Sequence, residues 1–583
     1  MSRPHAFIRP DTWLFLRLPN ETLRLIEIKL NTIIDVGKLG SFPSNLLIGR
    51  PYYHTYEILE KQDGEQYSRL RIVSQAELNA EAGLDEPVAP EESRGEPSPP
   101  GENGVPESYD LLAEDGTVLM KNNRLTIDDA SRQQLSQAEI EELKKSAGGK
   151  EIIEKILANH AGLEEKTAFS KAKYTLRKHK KYLKRFSALP MDLGNLIDHI
   201  IDKEAPRIME LREEALGLLG AWSHAHFNGV DQGDVNNEGS KIGGGRWLTV
   251  DDTGGLLVAG LAERTNILYP PVPKDAKDDQ ASATVDESSE QQPQTNGDAK
   301  PAKPISHRDF AIPSTTNSIT LLHPAVQPNV SLLKYFGYDT SNPHLPPEEL
   351  EHPLHTHLKP LSWLQLLHPS EDPTYNEPEQ ASEETMASWK SSKRGTYFKK
   401  RRRWERCKTI VDETREGGFD GLVIASHMDP IAILKHTVPL VRGGGHVVMY
   451  SPTIEPLVKV MDMYSKERRT AYIQHLAKGE RLDEDDFPVD PRLLLATAVQ
   501  TSRIREWQVL PGRTHPLMTS RGGAEGYTFT ARRVIPIEGG VEARGNFNAK
   551  KRKIIASEDA IVNASPTPVN ALIDSVKEAT EGK

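Results

Sequence analysis

The sequence predicts an α/β plus β protein with three structured parts: a small antiparallel β-barrel-like domain, a helical region and a Rossmann-like domain. Residues 11–75 contain short, evenly spaced apolar runs that alternate with polar residues, a pattern typical of antiparallel strands. Residues 126–222 change to helical periodicity. Residues 246–270 and 417–536 alternate buried strands with amphipathic helices, which predicts a mostly parallel sheet covered on both faces.

The length and composition agree with several domains separated by segments that do not pack. At about 150 residues per domain, a chain of 583 residues allows roughly two to four of them. Only 37% of the residues are hydrophobic, which is low for a fully folded chain. The single cysteine, Cys407, excludes a disulfide framework or a cysteine-based zinc site and suits a reducing compartment. No apolar run approaches the roughly 18 residues of a membrane span, and residues 1–9 lack the apolar core of a secretion signal.

Changes of composition set the expected domain boundaries. The expected parts, in chain order, are an N-terminal β-barrel-like domain (1–125), a helical basic region (126–235), a Rossmann-like domain (236–543) and a flexible tail (544–583). Three polar stretches have too few apolar residues to offset the entropy of ordering, and these predicted disordered insertions are 80–107, about 274–304 and about 370–390. Much of the negative charge lies in these insertions.

Local motifs refine the first two parts. Asp115-Gly116 lies between two apolar runs and predicts a hairpin, which places the insertion 80–107 inside the N-terminal domain. Ser136 and Glu139 have the spacing of a capping box and predict the start of a helix. Four apolar residues at helical spacing form a stripe that is typical of an ordinary core: Ile152, Ile153, Ile156 and Leu157.

The Rossmann-like part invites a search for a nucleotide site where its first strand ends. The strand RWLTVDD leads into the loop Asp251–Gly255, which lacks the glycine spacing that lets a backbone approach a phosphate closely. We assign the next strand to NILYPPV, which has no acidic residue before Asp275 to hold ribose hydroxyls. The sequence therefore favours a degenerate scaffold over an intact nucleotide site.

Other candidate sites have simpler explanations. Asp429-Pro430 is typical of a helix start with proline near its first position, rather than of a substrate loop. The histidines between residues 344 and 357 match no standard zinc spacing. The basic neighbours of Cys407 would lower the pKa of an exposed thiol, but no His/Asp arrangement accompanies it. We predict no catalytic, cofactor-binding or metal-binding residue in this chain.

Two clusters of basic residues stand out in a chain whose formal net charge is −11. Lys171–Arg185 holds eight Lys/Arg and two Tyr without an acid, and Lys390–Lys408 holds ten Lys/Arg with one Glu. The second cluster interleaves Tyr397, Phe398 and Trp404. Basic groups bind phosphates with release of counterions, and aromatic faces stack on unpaired bases, so the two clusters favour a nucleic-acid partner.

The candidate RNA-binding residues share a basic or aromatic side chain within these clusters: Lys171, Lys173, Tyr174, Arg177, Lys178, Lys180, Lys181, Lys184, Arg185, Lys399, Lys400, Arg401, Arg402 and Arg403. RNA is preferred to DNA because the sequence contains no helix-turn-helix or zinc-finger pattern. A solvated helix face for the first cluster and a nuclear import signal for the second are the alternatives.

At these residues the sequence resembles a known family, the non-catalytic subunits of the eukaryotic tRNA (adenine-58-N1) methyltransferase. The resemblance runs from about residue 20 to 536, interrupted by the polar insertions. The stretches that carry it are IIDVGKLGSFPSNLLIGRPYYHTYEI, FSKAKYTLRKHKKYLKRF, RWLTVDDTGGLLVAGLAER, FDGLVIASHMDPIAILKHTVPLVRGGGHVVMYSP and VLPGRTHPLMTSRGGAEGYTFTARRV. Several long matches in order are more specific than one short motif.

The resemblance implies a C-terminal methyltransferase fold with a degenerate cofactor site. It also implies a nuclear heterotetramer with two copies of this chain and two of a catalytic sister subunit, which binds S-adenosylmethionine. This chain would bind no cofactor itself and would help to hold tRNA. Residues 251–255 and 425–430 depart from the sister's glycine-rich loop and Asp-Leu-Pro motif. The alternative is an S-adenosylmethionine-dependent RNA methyltransferase that is active in its own right.

Overall fold

The computed structural model describes residues 7–59, 65, 67–82, 111–112, 118–120, 134–146, 149–161, 168–226, 245–269, 317–338, 352–501, 503–504, 507–510, 513–516 and 524–536. The predicted insertion 274–304, most of the insertion 80–107 and the predicted tail lie outside these residues. The chain divides into two compact units, Met1–Val534 and Ile535–Lys583, and every element named below lies in the first. Within the described ranges, no helix is long and apolar enough to cross a membrane.

The N-terminal part consists of short strands, as the alternating sequence predicts. Its strands are β1 (Thr12–Arg17), β2 (Leu23–Ile28), β3 (Ile33–Asp35), β4 (Ser41–Pro43), β5 (Thr55–Ile58), β6 (Leu70–Ile72), β7 (Leu111–Leu112), β8 (Val118–Met120) and β9 (Arg185–Pro190). An antiparallel sheet has the order β2-β1-β9-β5-β6, while β3 pairs with β4. Strands β7 and β8 pair antiparallel, as predicted for the two arms of a hairpin, whereas its expected turn at Asp115-Gly116 lies outside the described residues.

Strand β9 differs from the sequence expectation, which placed residues 126–235 in a helical region. It pairs with β1 and β5 in the centre of the N-terminal sheet. Phe186 is buried there, with its ring stacked on those of Phe42 and Tyr56 at centroid distances of 5.3 and 5.6 Å. The central strand therefore comes from a segment far along the chain, and local periodicity cannot reveal such a pairing.

The helices between β6 and β9 are α1 (Gln75–Ala82), α2 (Gln137–Ser146), α3 (Gly149–Ala158) and α4 (Ala168–Tyr182). The capping box at the start of α2 is confirmed, because the backbone N–H of Ser136 donates to Glu139 at 2.7 Å and that of Glu139 donates to Ser136 Oγ at 3.3 Å. The apolar stripe is confirmed as core, since Ile152, Ile153 and Ile156 on α3 are all buried.

The C-terminal part contains a seven-stranded mixed sheet and a separate hairpin. Its strands are β10 (Arg246–Asp251), β11 (Ser318–His323), β12 (Leu358–Ser362), β13 (Phe419–Ala425), β14 (Val441–Ser451), β15 (Leu494–Gln500), β16 (Trp507–Leu510), β17 (Arg513–Pro516) and β18 (Tyr527–Arg533). The sheet order is β12-β11-β10-β13-β14-β18-β15, and β16 pairs with β17. The first five strands run parallel, and β18 runs antiparallel to both of its neighbours. This order confirms a Rossmann-like fold.

Helices cover the sheet and bury its strands. The helices that follow β9 are α5 (Leu193–Glu204), α6 (Glu213–Trp222), α7 (Leu256–Arg264), α8 (Leu354–His357), α9 (Trp363–Leu367), α10 (Glu383–Ala387), α11 (Ser391–Glu416), α12 (Pro430–Thr437), α13 (Glu455–Met463) and α14 (Lys466–Lys478). Residues 256–262 of α7 are all buried. At Gly260 a Cβ would lie 2.6 Å from the side chain of Leu216, so this glycine allows α7 to pack closely on α6.

Two details of this part differ from the sequence expectations. The second strand is β11, whose six residues are all buried, whereas residues 266–269 of the expected strand NILYPPV form no strand. Residues 370–390, expected to be disordered, pack on α11: Tyr375 Oη donates to Asp412 at 2.8 Å, and Trp404 Nε1 donates to the carbonyl of Tyr375 at 3.0 Å. The polar composition of that segment does not reveal that it folds back on the helix that follows it.

Candidate nucleic-acid interface and sheet switch point

The order of the strands defines where a ligand would bind in such a sheet. The chain adds β11 on one side of β10 and later adds β13 on the other side, so the order of the strands reverses between β10 and β13. Open α/β sheets bind ligands in the crevice outside the carboxyl ends of the strands at such a switch point. In this sheet, Asp251 at the end of β10 lies beside Ala425 at the end of β13.

Asp252 joins the two loops that border this crevice. Its backbone N–H donates to the carbonyl of Ala425 at 2.8 Å. Its carboxylate accepts hydrogen bonds from Ser426 Oγ at 2.5 Å and from the backbone N–H of His427 at 2.9 Å. The Oδ2 atom of this carboxylate therefore binds two groups of the protein itself, and these bonds tie the two loops together across the switch point.

Asp251 is buried and occupies the start of α7. Its carboxylate accepts hydrogen bonds from the backbone N–H and the hydroxyl of Thr253 at 2.6 and 2.5 Å, and from the backbone N–H of Val258 at 3.1 Å. Burial raises the pKa of Asp251 to about 6, against the opposing effect of these hydrogen bonds. Because N–H groups at a helix start favour anions, the chain's own carboxylate fills a position that a ligand anion would need.

A segment of the chain also covers the glycine loop. The backbone N–H of Leu332 donates to the carbonyl of Gly254 at 3.0 Å. Gly255 has a φ of +95°, and a Cβ there would lie 3.0 Å from the Cα of Val330. Val330, Leu332 and Leu333 are buried. The close approach that Gly255 permits is therefore to the protein's own residues 330–333.

The ends of the neighbouring strands carry no ribose-binding carboxylate in the described residues. His323 ends β11, with its Nδ1 2.8 Å from the carbonyl of Ala325, and burial lowers its pKa. Asp429, after β13, caps α12 through the backbone N–H of Ala432 at 3.1 Å, with Pro430 in the first turn. The helix start predicted at Asp429-Pro430 is confirmed.

The first basic cluster lies on α4 and just beyond it. The exposed basic residues Arg177, Lys180 and Lys181 have a helical spacing of three and four, which places them on one face of α4, and the exposed Lys184 lies just beyond the end of the helix. Lys180 pairs with Glu21 of the N-terminal part at 2.5 Å. Lys178 is half-buried, and burial lowers its pKa, with Lys181 adding to the effect. The side chains of Lys171 and Lys173 lie outside the described residues.

Arg185 differs from the sequence expectation of an RNA contact. It is the first residue of β9, and only 10% of its side chain is exposed. Its guanidinium donates two hydrogen bonds to Glu81, at 2.5 and 3.0 Å, and one to Glu77 at 3.0 Å. Arg185 is therefore not accessible to RNA. The basic run in the sequence gives no sign that its last member turns inward.

The second basic cluster lies on the first half of α11. The C-terminal half of this helix is held by buried Ile410, Val411 and Thr414, whereas the N-terminal half is mostly exposed. The exposed candidates in the N-terminal half are Lys399, Lys400, Arg402 and Arg403. Arg401 is half-buried and pairs with Glu377 at 3.6 Å. The first half of the helix, residues 391–403, spans about 20 Å, so its cations form an extended basic surface.

Most of the aromatic rings in the clusters make contacts within the protein. Arg401 and Lys408 lie over the ring of Trp404, at 5.3 and 5.5 Å from its centroid. The hydroxyl of Tyr397 accepts a hydrogen bond from the backbone N–H of Ala381 at 3.2 Å. In the first cluster, the ring of Tyr174 lies 4.8 Å from that of His160 and also contacts Lys178. Phe398, by contrast, is 47% exposed.

No group of three or more His, Cys, Asp or Glu suited to a metal ion occurs in the part of the chain that the structure describes. His352 and His357 each hydrogen-bond to a backbone carbonyl, at 3.2 and 2.7 Å. Cys407 is half-buried, and burial raises the pKa of its thiol, contrary to the expectation for an exposed cysteine. These groups have structural partners and no arrangement suited to catalysis.

Comparison with known proteins identifies the family. The family model described as the Gcd10p family matches residues 7–390, which is more than half of the chain. The chain belongs to the Gcd10p family. It is 44% identical to a protein of Aspergillus fumigatus named tRNA (adenine(58)-N(1))-methyltransferase non-catalytic subunit trm6, over 96% of this chain and 98% of that protein. A protein of Aspergillus oryzae with the same name is 45% identical over 95% of this chain and 97% of its own length.

Among solved structures, this Gcd10p family member is similar to a SAM-dependent O-methyltransferase from Thermotoga maritima. The TM-score is 0.37 and the identity 9%, with 92% of this chain and 97% of that chain covered.

The sequence of this Gcd10p family member predicts the loop after β10 but does not reveal the segment that covers it. The segment Val330–Leu333 follows β11. Because the sequence patterns place the second strand elsewhere, they do not predict that this segment lies over Gly254. The link from Asp252 to Ser426 joins residues 174 positions apart and has no local signal. The acidic residues Glu77 and Glu81, which bind Arg185, lie at the edge of a segment expected to be disordered.

Proposed function

We propose that this chain is the non-catalytic subunit of a tRNA (adenine-58-N1) methyltransferase and provides basic surface that holds tRNA. The similarity to proteins named as that subunit, over nearly the whole chain, is the observation that carries this proposal. The names of these relatives state that the subunit is non-catalytic. The exposed cations of α4 and α11 supply the chemistry for a polyanionic partner.

The C-terminal domain then acts as a methyltransferase-like scaffold with a degenerate cofactor site. Three features of the switch point support this proposal: the buried carboxylate of Asp251 at the start of α7, the link from Asp252 to the β13 loop, and the cover of residues 330–333 over Gly255. A cofactor would have to displace all three. S-adenosylmethionine binding and methyl transfer are assigned to the catalytic sister subunit, and this chain contributes no catalytic or cofactor-binding residue.

The basic helices would contact the phosphate backbone of tRNA more than its bases. Trp404, Tyr397 and Tyr174 already make contacts within the chain, which limits their use as stacking platforms. Lysine and arginine side chains on exposed helix faces neutralise phosphates with release of counterions and carry no direct sequence information. This chain would therefore hold tRNA by shape and charge, and the sister subunit would select the base that is methylated.

The proposal includes the assembly and the location that the family resemblance implies. Two copies of this chain and two of the sister subunit would form a heterotetramer in the nucleus. The run Lys399–Arg403 is exposed except at Arg401 and has the composition of a nuclear import signal, which supports that location. The N-terminal antiparallel sheet, with the β3–β4 hairpin beside it, would form the β-barrel-like domain of the subunit.

The test reverses the charge of the exposed face of α4. In the full chain assembled with the sister subunit, the variant Arg177→Glu/Lys180→Glu/Lys181→Glu should bind tRNA at least about tenfold more weakly at about 0.1 M salt. The slope of log affinity against log salt concentration should become shallower by about two, because phosphate contacts are lost. Both quantities come from binding titrations at several salt concentrations.

The matched control carries the same three charge reversals on or next to α14, at the exposed residues Lys466, Lys478 and Arg481. It should bind tRNA much more tightly than the α4 variant. An equal loss in the control would show that net charge alone matters, which contradicts a defined basic surface. Unchanged affinity in the α4 variant would remove α4 from the tRNA surface.

A further inference from the structure

The C-terminal end of the basic helix α4 lies beside a cluster of acidic side chains. Arg185 follows α4 by three residues and starts β9, and its guanidinium faces two carboxylates of α1. It donates to both oxygens of Glu81 and to one oxygen of Glu77, at 2.5 to 3.0 Å. A bidentate guanidinium–carboxylate pair fixes orientation as well as distance.

The same carboxylates reach the other elements around α4. Glu77 accepts hydrogen bonds from Arg71 on β6 and from Lys150 on α3, each at 2.7 Å. The bond from Arg71, followed by that from Lys150, lowers the pKa of Glu77 to about 2. His179 on α4 has its Nδ1 3.8 Å from Glu81. Helix α1 therefore contacts β6, β9, α3 and α4 through two side chains.

This junction is shielded from solvent, unlike an ordinary surface ion pair. The exposed fractions of the side chains of Arg185, Glu81 and Glu77 are 10%, 17% and 21%. Pairs shielded in this way are screened less by salt than exposed ones, and removal of one member leaves its partner buried without a counter-charge. The junction is therefore a directional, salt-resistant contact between α1 and β9, at a point three residues beyond the end of α4.

We propose that Glu81, Glu77 and Arg185 are positioning residues for tRNA binding. They set the angle at which α4 leaves the N-terminal sheet and so fix the exposed face formed by Arg177, Lys180, Lys181 and Lys184. This inference rests on the proposed function, because it concerns the same tRNA surface. It assigns to two acidic residues a favourable effect on the binding of a polyanion, although they do not touch it.

Glu81→Gln tests this inference because two explanations predict opposite signs. If only charge matters, removal of an acid beside the basic helix strengthens tRNA binding. If Glu81 positions α4, the variant in the full complex should bind tRNA about fivefold more weakly, because the face no longer matches the phosphates in a single orientation. The slope of log affinity against log salt concentration should stay unchanged, since no phosphate contact is removed.

Three further variants make the measurement specific. Glu151→Gln on α3 removes an equally negative but exposed side chain, which pairs only with Lys155 at 2.9 Å in the described residues, and it should not weaken binding. Arg185→Lys keeps the charge but loses the bidentate geometry, so its affinity should lie between those of the unmodified chain and Arg185→Gln. Thermal unfolding of each variant, with binding measured well below the transition, confirms that the folded protein is compared.

The inference is overturned if the complex with the Glu81→Gln variant binds tRNA as tightly as the unmodified complex, or more tightly. A shallower salt slope for Arg185→Gln also overturns it, because that result would place Arg185 on a phosphate. The two proposals fail separately. If the α4 charge reversals lose affinity while Glu81→Gln does not, only the positioning role is wrong; if the α4 reversals have no effect, the tRNA surface itself is wrong.

Discussion

Asp251 and Asp252 are adjacent in sequence but serve different parts of the switch point. The carboxylate of Asp251 points into the start of α7 and is buried, whereas that of Asp252 reaches across to Ser426 and His427. In an active nucleotide site, acids at these positions would face a ligand. In this chain both carboxylates bind groups of the protein itself: Asp251 at the start of α7, and Asp252 in the loop after β13.

The burial of Asp251 predicts a pH-dependent stability. Its folded-state pKa of about 6 lies above its ordinary value of 3.8, so the folded chain takes up this proton more readily than the unfolded chain. The stability of the unmodified chain relative to Asp251→Asn should therefore be greatest below about pH 4, fall by about 3 kcal/mol between about pH 4 and pH 6, and level off above pH 6. Urea unfolding of both proteins at a series of pH values measures this difference. A difference that stays constant, or grows with pH, contradicts the account.

At the residue scale, the sequence predicted helix caps better than the direction in which a side chain points. The caps at Ser136 and Asp429 follow from local spacing, and both are confirmed. Arg185 belongs to the same basic run as Lys184, yet its side chain turns inward because position along a strand decides which face it occupies. Its acidic partners lie about a hundred residues earlier, where no local pattern connects them to it.

Among the elements, the glycine loop after β10 packs against another segment of the protein. Gly254 and Gly255 have φ values of +73° and +95°, which favour glycine. In a nucleotide site, such glycines let a phosphate approach the backbone. Here they let the segment Val330–Leu333 approach instead, and a hydrogen bond from Leu332 closes the contact.

Gly255→Ala should therefore destabilise the fold beyond the strain of its backbone conformation. The matched control is Gly444→Ala on β14, where φ is +81° but no atom lies within 4 Å of the added Cβ. Backbone strain should cost about 1–2 kcal/mol at either position. At Gly255 the contact with Val330 should add about 1–3 kcal/mol. Urea unfolding measures both variants, and equal losses would show that residues 330–333 do not pack tightly on the loop.

The prediction of elements was most reliable where a pattern is local and least reliable where a partner is distant. The strands of residues 11–75 and the helix stripe of α3 follow from periodicity alone. Strand β9 and residues 370–390 depend on contacts with residues far along the chain, so their sequences look like a helix end and a polar insertion. The second strand of the C-terminal sheet was predicted too early in the chain because a long polar stretch separates β11 from α7.

For the whole molecule, net charge is a poor guide to the partner. The chain carries −11, yet the exposed faces of α4 and the first half of α11 are basic. Much of the negative charge lies in stretches of the sequence such as 80–107 and 274–304, outside the two basic runs. A polyanion responds to the local potential of a surface within about a Debye length, roughly 8–10 Å at ordinary salt, and not to the sum over the chain.

The central claim is that this chain supports methylation of tRNA without performing it. Transfer of a labelled methyl group from S-adenosylmethionine to tRNA, measured for this chain alone, for the sister subunit alone and for the two together, tests that claim most directly. The account predicts efficient transfer only when both subunits are present, because the switch point of this chain is filled by its own residues. Methyl transfer by this chain alone would contradict it.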